Sequence, residues 1–520
     1  MSLSTATPRL QSMVGQVGLN GRGLALVAGF LALLMRPALF DPDYYWHIEA
    51  GRLIATQWAL PSVDPFSYTA AGQAWVAHEW LFEVLLYGVL AAAGSFGVKL
   101  MSAVLGTASV LLVYAAANRV LARPTVAAWL AGAFYLFVYE FPSPRPQLLT
   151  YAFLAAYLYI LVSFKYGRDV RLLPALPALM IPWVNAHGGY VIGILLVAAF
   201  CVSEWLVLRA TNTDEDGRRR LRRLAAMAVL IVLASLLNPY FAGHWVYPFE
   251  VMGLQATQYI PEWRGPDFGT SYGRLFLLSV VGFCALQIYR ARKPDITELG
   301  VSGLFIVAGL TSNRHTLLAA MAMIIFAAAA IRDGLQVAAP VSTALERLQR
   351  KWRDHAARGK PLGRAEGHIN LAIAVALVVA ASAYYPTARA SEAAFVRQRL
   401  PIDATQFILD SGIAGRMFNT YQYGGYLIHK LYPRQRVFID GRADMYGDSL
   451  FGEYRTIEGG FAGWAPLFDK YAIDYVVCEH QSPIRQLLMT RRDFRLVFDD
   501  GMSSVLVRNT SRFAAIPTVE

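Results

Sequence analysis

Apolar runs of roughly membrane-spanning length recur along the first three quarters of the chain, separated by short polar connections. They predict about eleven crossing helices, at 24–40, 98–118, 124–140, 147–164, 172–184, 188–208, 222–238, 275–291, 296–311, 315–332 and 369–387. Two stretches fit less simply. The 78–94 segment is apolar enough to cross, but a crossing there would invert the sorting of charges downstream, so it reads as an interfacial helix leading into the next span. The 172–184 run is short and carries Pro174, Pro177 and Pro182, which predicts a broken or tilted helix.

Beyond Tyr385 the pattern changes to short strands alternating with amphipathic helices. Strands are predicted at 416–418, 436–439, 475–478, 494–498 and 504–507, and helices at 421–431, 448–458, 464–472 and 483–490. The expected fold class is a polytopic α-helical membrane protein with a C-terminal soluble α/β domain. Residues 1–387 would form the transmembrane domain with an external loop at 41–80, and residues 388–520 the soluble domain.

Composition agrees. Only 16% of the 520 residues are charged and 56% are hydrophobic, against about a quarter charged in soluble domains. A net charge of +11 would suit nucleic acid, but its placement argues for a membrane and no nucleic-acid partner. Lys and Arg gather at Arg119 and Arg123, at Lys165, Arg168 and Arg171, from Arg209 to Arg223, at Arg290, Arg292 and Lys293, and from Arg332 to Arg364. With a cytoplasmic N-terminus and single crossings, all of these fall inside. The intervening connections, poor in Lys and Arg, then face outward together with the tail. Cys201, Cys284 and Cys478 define no disulfide framework. The polar start, Met1 to Arg22, lacks a signal-peptide cleavage pattern, so the first run is expected to be retained.

Chemistry concentrates in the outward connections. Asp41 and Asp43 lie two residues apart at the end of the first run, followed by Tyr44, Tyr45, Trp46 and His47. The aromatics could be an interfacial belt; alternatively the carboxylates are catalytic groups in a partly desolvated pocket with aromatic walls. His187 stands beside Gly188 and Gly189 at a helix break, where backbone can approach closely. Asp41, Asp43, His47, His78 and Glu79 could together furnish a divalent-metal site for Mg or Mn, although their spacing follows no established metal pattern. Glu262 and Asp267, around Trp263, are further acidic candidates. Asp440, Arg442 and Asp444 read as a structural ion-pair network at a strand end.

The segment Asp41, Pro42, Asp43, Tyr44, Tyr45, Trp46 resembles the Asp-Glu-Ala-Tyr-Tyr-Trp pattern of the bacterial mannosyltransferase-like branch of the GT-C membrane glycosyltransferases, departing from it at Pro42 and Asp43. An acidic residue ending the first helix and opening a long outward loop marks that superfamily, which includes protein O-mannosyltransferases, lipid A aminoarabinose transferases and the catalytic subunit of oligosaccharyltransferase. Further blocks resemble a less characterised group of bacterial membrane proteins: Asp64 to Thr69 with Trp75 and His78 to Trp80, Arg145 to Gln147, Trp183 to Gly189, Asn238 to Tyr240, Glu262 with Trp263, Tyr423 to Tyr426, and Val437 to Arg442.

The resemblance implies an enzyme of the bacterial inner membrane that moves a sugar from a polyprenyl-phosphate donor to a lipid, glycan or protein acceptor on the outer side. Asp41 or Asp43 would be the catalytic base, with Asp41 on the pattern's leading Asp. Arg145 and Arg314 are lone cations at outer helix ends, and each needs an anion. That anion is either an acidic side chain or the donor phosphate, which a planar guanidinium fork suits. Tyr45, Trp46, His47, His78, Glu79, Asn185, His187, Glu262 and Trp263 are the candidate substrate contacts. A diphosphate donor would make a metal more necessary than a monophosphate donor. The rival readings are a transporter or flippase for a lipid-linked glycan, and a non-catalytic assembly protein of a surface-polysaccharide system.

Overall fold

A computed structural model describes residues 20–36, 41–141, 143–211, 215–290, 292–337 and 364–519. The sequence readings for the first 19 residues, for positions 37–40 and for most of the basic 332–364 connection fall outside them.

Each of the eleven apolar runs lies on a helix: α1 Gly21–Met35, α3 Trp80–Leu121, α4 Pro124–Glu140, α5 Gln147–Gly167, α6 Ala175–Ala186, α7 Tyr190–Thr211, α8 Glu215–Ala234, α10 Ser271–Tyr289, α11 Ile296–Thr311, α12 Thr316–Val337 and α13 Arg364–Arg397. Between them lie α2 Pro42–Gln57 and α9 Gly243–Gly253. Among the described residues, six helices are long and apolar enough to cross a membrane, and α1, α6 and α11 are shorter apolar helices. Large apolar side chains such as Trp129, Leu278, Val307 and Val379 stand exposed on the bundle, an arrangement suited to lipid rather than water.

α3 is the spine of the bundle, packing against α2, α4, α5 and α12. It is broken at Gly94, whose φ of 61° only glycine adopts cheaply. The 78–94 stretch is therefore the first arm of this long helix. Lys99 on α3 and Glu392 on α13 form a buried pair inside the bundle, Lys99 Nζ donating at 2.8 Å.

The stretch read as an external loop contains α2, which has Asp41 as its N-cap and Pro42 in its first turn. Most of α2 is buried against protein, which explains why no alternation of lipid-facing and core-facing residues betrayed it. Trp46, Ala50 and Leu53 of α2, with Phe66 and Trp75 of the following loop, share one hydrophobic core with the tail.

That tail carries a four-stranded sheet, β1 Met417–Asn419, β2 Tyr475–Glu479, β3 Phe494–Asp499 and β4 Ser503–Arg508, in the order β1-β2-β4-β3. β1 runs parallel to β2, and the other neighbours are antiparallel. Its helices are α14 Ile402–Asp410, α15 Gly424–Leu431, α16 Ala443–Glu458, α17 Trp464–Lys470 and α18 Pro483–Met489. The expected strand at 436–439 is not part of the sheet. Its backbone pairs instead with the loop after α2, Val437 N–H donating to the Phe66 carbonyl and Tyr68 N–H to the Val437 carbonyl, both at 3.1 Å. The apolar β-rich sequence is real, but its partner lies some 370 positions earlier, beyond the reach of local pattern.

Candidate active site

α2 delivers Asp41 and Asp43 to the same place by different routes. As N-cap, Asp41 turns its carboxylate back on the helix end: Oδ1 accepts from the Asp43 amide at 3.0 Å and from Arg145 Nη2 at 2.8 Å, and Oδ2 accepts from Ser143 Oγ at 2.6 Å. Both of its oxygens are thus engaged. Asp43, in the first turn, points into a cavity of about 590 Å³. Its Oδ1 accepts from Trp46 Nε1 at 3.2 Å and its Oδ2 lies 2.9 Å from Arg145 Nη2.

Burial pushes the Asp43 carboxyl up to about 7; Arg145 opposes that shift, and the like charges of Asp41 and Glu262 add to it. The tail closes over this corner. Gly441 lies so near that a Cβ there would collide with Asp43 Oδ1, so only glycine allows the approach.

Two arginines share one carboxylate at the same end of the cavity. Arg145 Nη1 donates to Glu262 Oε2 at 2.7 Å and Arg314 Nε to Glu262 Oε1 at 2.9 Å, while the Arg314 guanidinium lies 4.3 Å over the Trp263 ring. Glu262 sits in the 3₁₀ turn Pro261–Trp263 of the connection between α9 and α10. Despite its burial, Arg145 and Arg314 hold its carboxyl down at about 2.

A second group gathers around Glu79. His47 Nε2 lies 3.9 Å from Glu79 Oε2, and His78 Nε2 and His187 Nε2 each lie 3.6 Å from Glu79 Oε1. On the other side His47 Nδ1 faces Glu83 Oε1 at 3.3 Å. The Gly189 amide donates to His187 Nδ1 at 2.9 Å, so the ring proton resides on Nε2, toward Glu79. The Thr150 hydroxyl also meets Nδ1 at 2.9 Å and is itself held by Trp183 Nε1. Burial drives His187 down to about 3 and His47 well below its usual range, and raises Glu79.

The remaining wall is largely apolar: Val191, Leu195, Phe249, Met252, Leu304 and Leu318. Leu195, Phe249, Met252 and Leu304 are also exposed on the outside of the protein, so the cavity's apolar side continues to the bundle surface.

Of the residues singled out in the sequence, Asp43, Trp46, His47, His78, Glu79, Arg145, His187, Glu262, Trp263 and Arg314 line this one cavity. Asp41 stands behind Arg145. Tyr45 is turned away, edge-on to Tyr426 with ring centroids 5.1 Å apart. Asn185 is a fastener: its amide accepts from Trp80 Nε1 and donates to the Ile181 and Leu237 carbonyls.

Arg442 donates to both oxygens of Asp440 and reaches Asp64 at 2.9 Å, a buried ion network tying tail to loop. Asp444 is not part of it and instead accepts from Tyr247 across the cavity. Sequence reasoning did not place Glu83, Tyr247, Tyr421, Gln422 or Asp444 at the site. The tail residues among them flank the quoted Tyr423 and Val437 blocks, and inside the second block Gly441 and Arg442 also line the cavity.

The carboxylates and histidines considered for a metal do not form a ligand set. Asp41 and Asp43 turn their oxygens to Arg145 and its neighbours, and His47 turns its ring nitrogens to Glu79 and Glu83. Among the described residues, no three His, Cys, Asp or Glu side chains are placed to hold an ion.

No protein-family profile and no curated protein sequence matches the chain. Solved structures do. The archaeal oligosaccharyltransferase AglB from Archaeoglobus fulgidus, in complex with an inhibitory peptide and a dolichol-phosphate, superposes with a TM-score of 0.54 at 12% identity, over 95% of this chain and 74% of its own. ArnT from Cupriavidus metallidurans bound to undecaprenyl phosphate gives 0.50 at 16% identity, over 99% and 100%, and its apo form 0.51 at 16%, over 95% and 98%. The chain has the fold of these oligosaccharyltransferase and ArnT structures.

Proposed function

We propose that this chain is a membrane glycosyltransferase that moves a sugar from a polyprenyl-phosphate carrier to a hydroxyl-bearing acceptor at the outer face of the bacterial inner membrane. One observation carries the reading: two arginines and an elevated carboxyl converge at the polar end of a cavity whose other wall is apolar and reaches the bundle surface. A lipid-linked phosphate ester has that polarity, a charged head on a hydrocarbon chain. Solved neighbours of the same fold hold dolichol-phosphate and undecaprenyl phosphate.

In the chemistry we derive, the acceptor oxygen attacks the anomeric carbon while Asp43 takes its proton. The bond from that carbon to the phosphate oxygen breaks, and the phosphate leaves with the electron pair. Arg145 and Arg314 receive the charge with planar forks. Asp43 is the better base of the pair because it faces the cavity and its pKa lies near the working pH, whereas Asp41 is consumed in holding Arg145. Positive-inside sorting places this end outside.

The transporter alternative requires charges lining a path through the bundle. The second buried set, Arg290 with Glu298 and Asp333, is paired within itself and lies outside the cavity wall. The test is a transfer assay with purified protein and a panel of polyprenyl-phosphate sugars. Arg145-dependent lipid binding without transfer from any donor would move the transporter reading ahead.

A further inference from the structure

The arginine site is neutralised before any donor arrives. Arg145 and Arg314 face the carboxylates of Asp41 and Glu262, and Asp43 stands beside them. A phosphodiester entering here would add a negative charge to a buried cluster that has no cation to spare, and that is costly at low dielectric. One carboxylate must give way.

Asp41 cannot do so without uncapping α2 and releasing Ser143. Asp43 is held by Trp46 under the roof of Gly441. Glu262 differs from both, because its side-chain partners are the two arginines themselves. Its backbone is pinned independently: Ser312 Oγ donates to the Glu262 carbonyl at 3.2 Å, and the Asn313 amide donates to the next-but-one carbonyl, Arg264, at 2.7 Å. The carboxylate can therefore swing out without moving the turn that bears it.

We infer that Glu262 is an exchangeable internal anion: the donor phosphate takes its place between Arg145 and Arg314, and it returns when the carrier leaves. This rests on the donor-site reading above and adds a substrate class to it. Replacing one carboxylate by a singly charged phosphodiester leaves the cluster's charge unchanged, whereas a diphosphate-linked donor brings a second negative charge without compensation. The site therefore selects monophosphate-linked sugars. After transfer the carrier phosphate is a monoester able to take a second charge, and the returning carboxylate competes with it.

The probes are undecaprenyl phosphate and undecaprenyl pyrophosphate, bound to the full-length protein in detergent. Glu262→Gln removes the competing charge and keeps the shape, so its affinity for undecaprenyl phosphate should rise about 10-fold to 100-fold, the worth of one charge-assisted hydrogen bond. Discrimination against the pyrophosphate should shrink in the same variant. Unchanged or weaker binding by folded Glu262→Gln would overturn the exchange and make Glu262 a brace for the arginines.

Trp263 gives a readout on the unaltered site, since its ring covers Arg314. The wild-type fluorescence change on adding undecaprenyl phosphate should exceed that of Trp263→Phe, and equal changes would also overturn the exchange. Failure of the donor-site reading looks different: wild-type binding of undecaprenyl phosphate would be absent, or indifferent to Arg145→Lys.

Discussion

Two clusters of buried charge occupy opposite ends of the same helices, and their difference separates chemistry from architecture. At one end Arg290, Glu298 and Asp333 are each no more than 3% exposed at the side chain, with Lys165, Glu204 and Asp295 alongside. Every charge there has a fixed partner and none lines the cavity. At the other end Asp43, Glu262 and Arg314 keep 24%, 29% and 26% of their side chains open. There a carboxyl is pushed up to about 7 and a carboxylate is shared by two arginines. The closed cluster has its charges paired within itself; the open one holds groups in states that a ligand could change.

The largest effect that would sharpen this contrast is on rate. Asp43→Asn keeps shape and removes the proton acceptor, so transfer should fall about 10²–10⁴-fold, the usual contribution of a general base, with lipid binding retained. Asp41→Asn should instead weaken lipid binding, because it loosens Arg145. Lipid-binding isotherms and single-turnover rates on both variants distinguish the two. Near-normal transfer by Asp43→Asn alongside a dead but lipid-competent Asp41→Asn would reverse the roles.

In the closed cluster the expectation is inverted. Arg290→Leu leaves the buried Glu298 without its cation and Asp333 with Arg332 alone, and breaking a buried pair typically costs about 3–5 kcal/mol, so the protein should lose much of its thermal stability in detergent. Lipid affinity of the surviving folded fraction should be unaltered. A loss of transfer with stability intact would give that cluster a functional part and revive the transporter reading.

An intermediate effect belongs to Arg145→Lys. It keeps the charge and loses the planar fork, so undecaprenyl phosphate affinity should drop by about 10-fold. Equal affinity in a folded variant would assign Arg145 to structure.

The helices were legible because lipid demands long apolar runs, and each of those runs lies on a helix. The hydrophobic pattern fails where protein replaces lipid. α2 is covered by the tail and by α3, so its residues follow no lipid-facing period, and the 41–80 stretch read as a loop. Yet Asp41 before Pro42 is a helix-start signal, and it explains why the two aspartates differ: the capping residue turns back on the helix, and the one two places on faces out. Arg145 and Arg314 were visible as cations needing an anion, and Glu262 as an acidic candidate. That they partner one another depends on the packing of three separate connections, which no local pattern encodes. The tail's share of the cavity through Tyr421, Gln422 and Asp444 was hidden for the same reason.

The smallest expected effect tests whether the open cluster is under electrostatic strain. The Asp43 carboxyl moves from an ordinary 3.8 up to about 7 in the folded protein. A raised acid binds its proton more tightly folded than unfolded, so folding stability should fall as pH rises from about 4 to about 7 and level off above that. Asp43→Asn removes the ionisable group. The variant should therefore melt modestly higher than wild type at pH 8, and the difference should shrink as pH falls and disappear below about pH 3, where Asp43 is protonated in both states. Activity follows the opposite sign, since the base works only when deprotonated: wild-type transfer should decline as pH falls below about 7. A residue that gains stability on losing its charge, yet abolishes transfer, is placed there for chemistry. Were Asp43→Asn to melt lower than wild type at pH 8, the carboxylate would be a favourable partner of Arg145, and the open cluster would resemble the closed one.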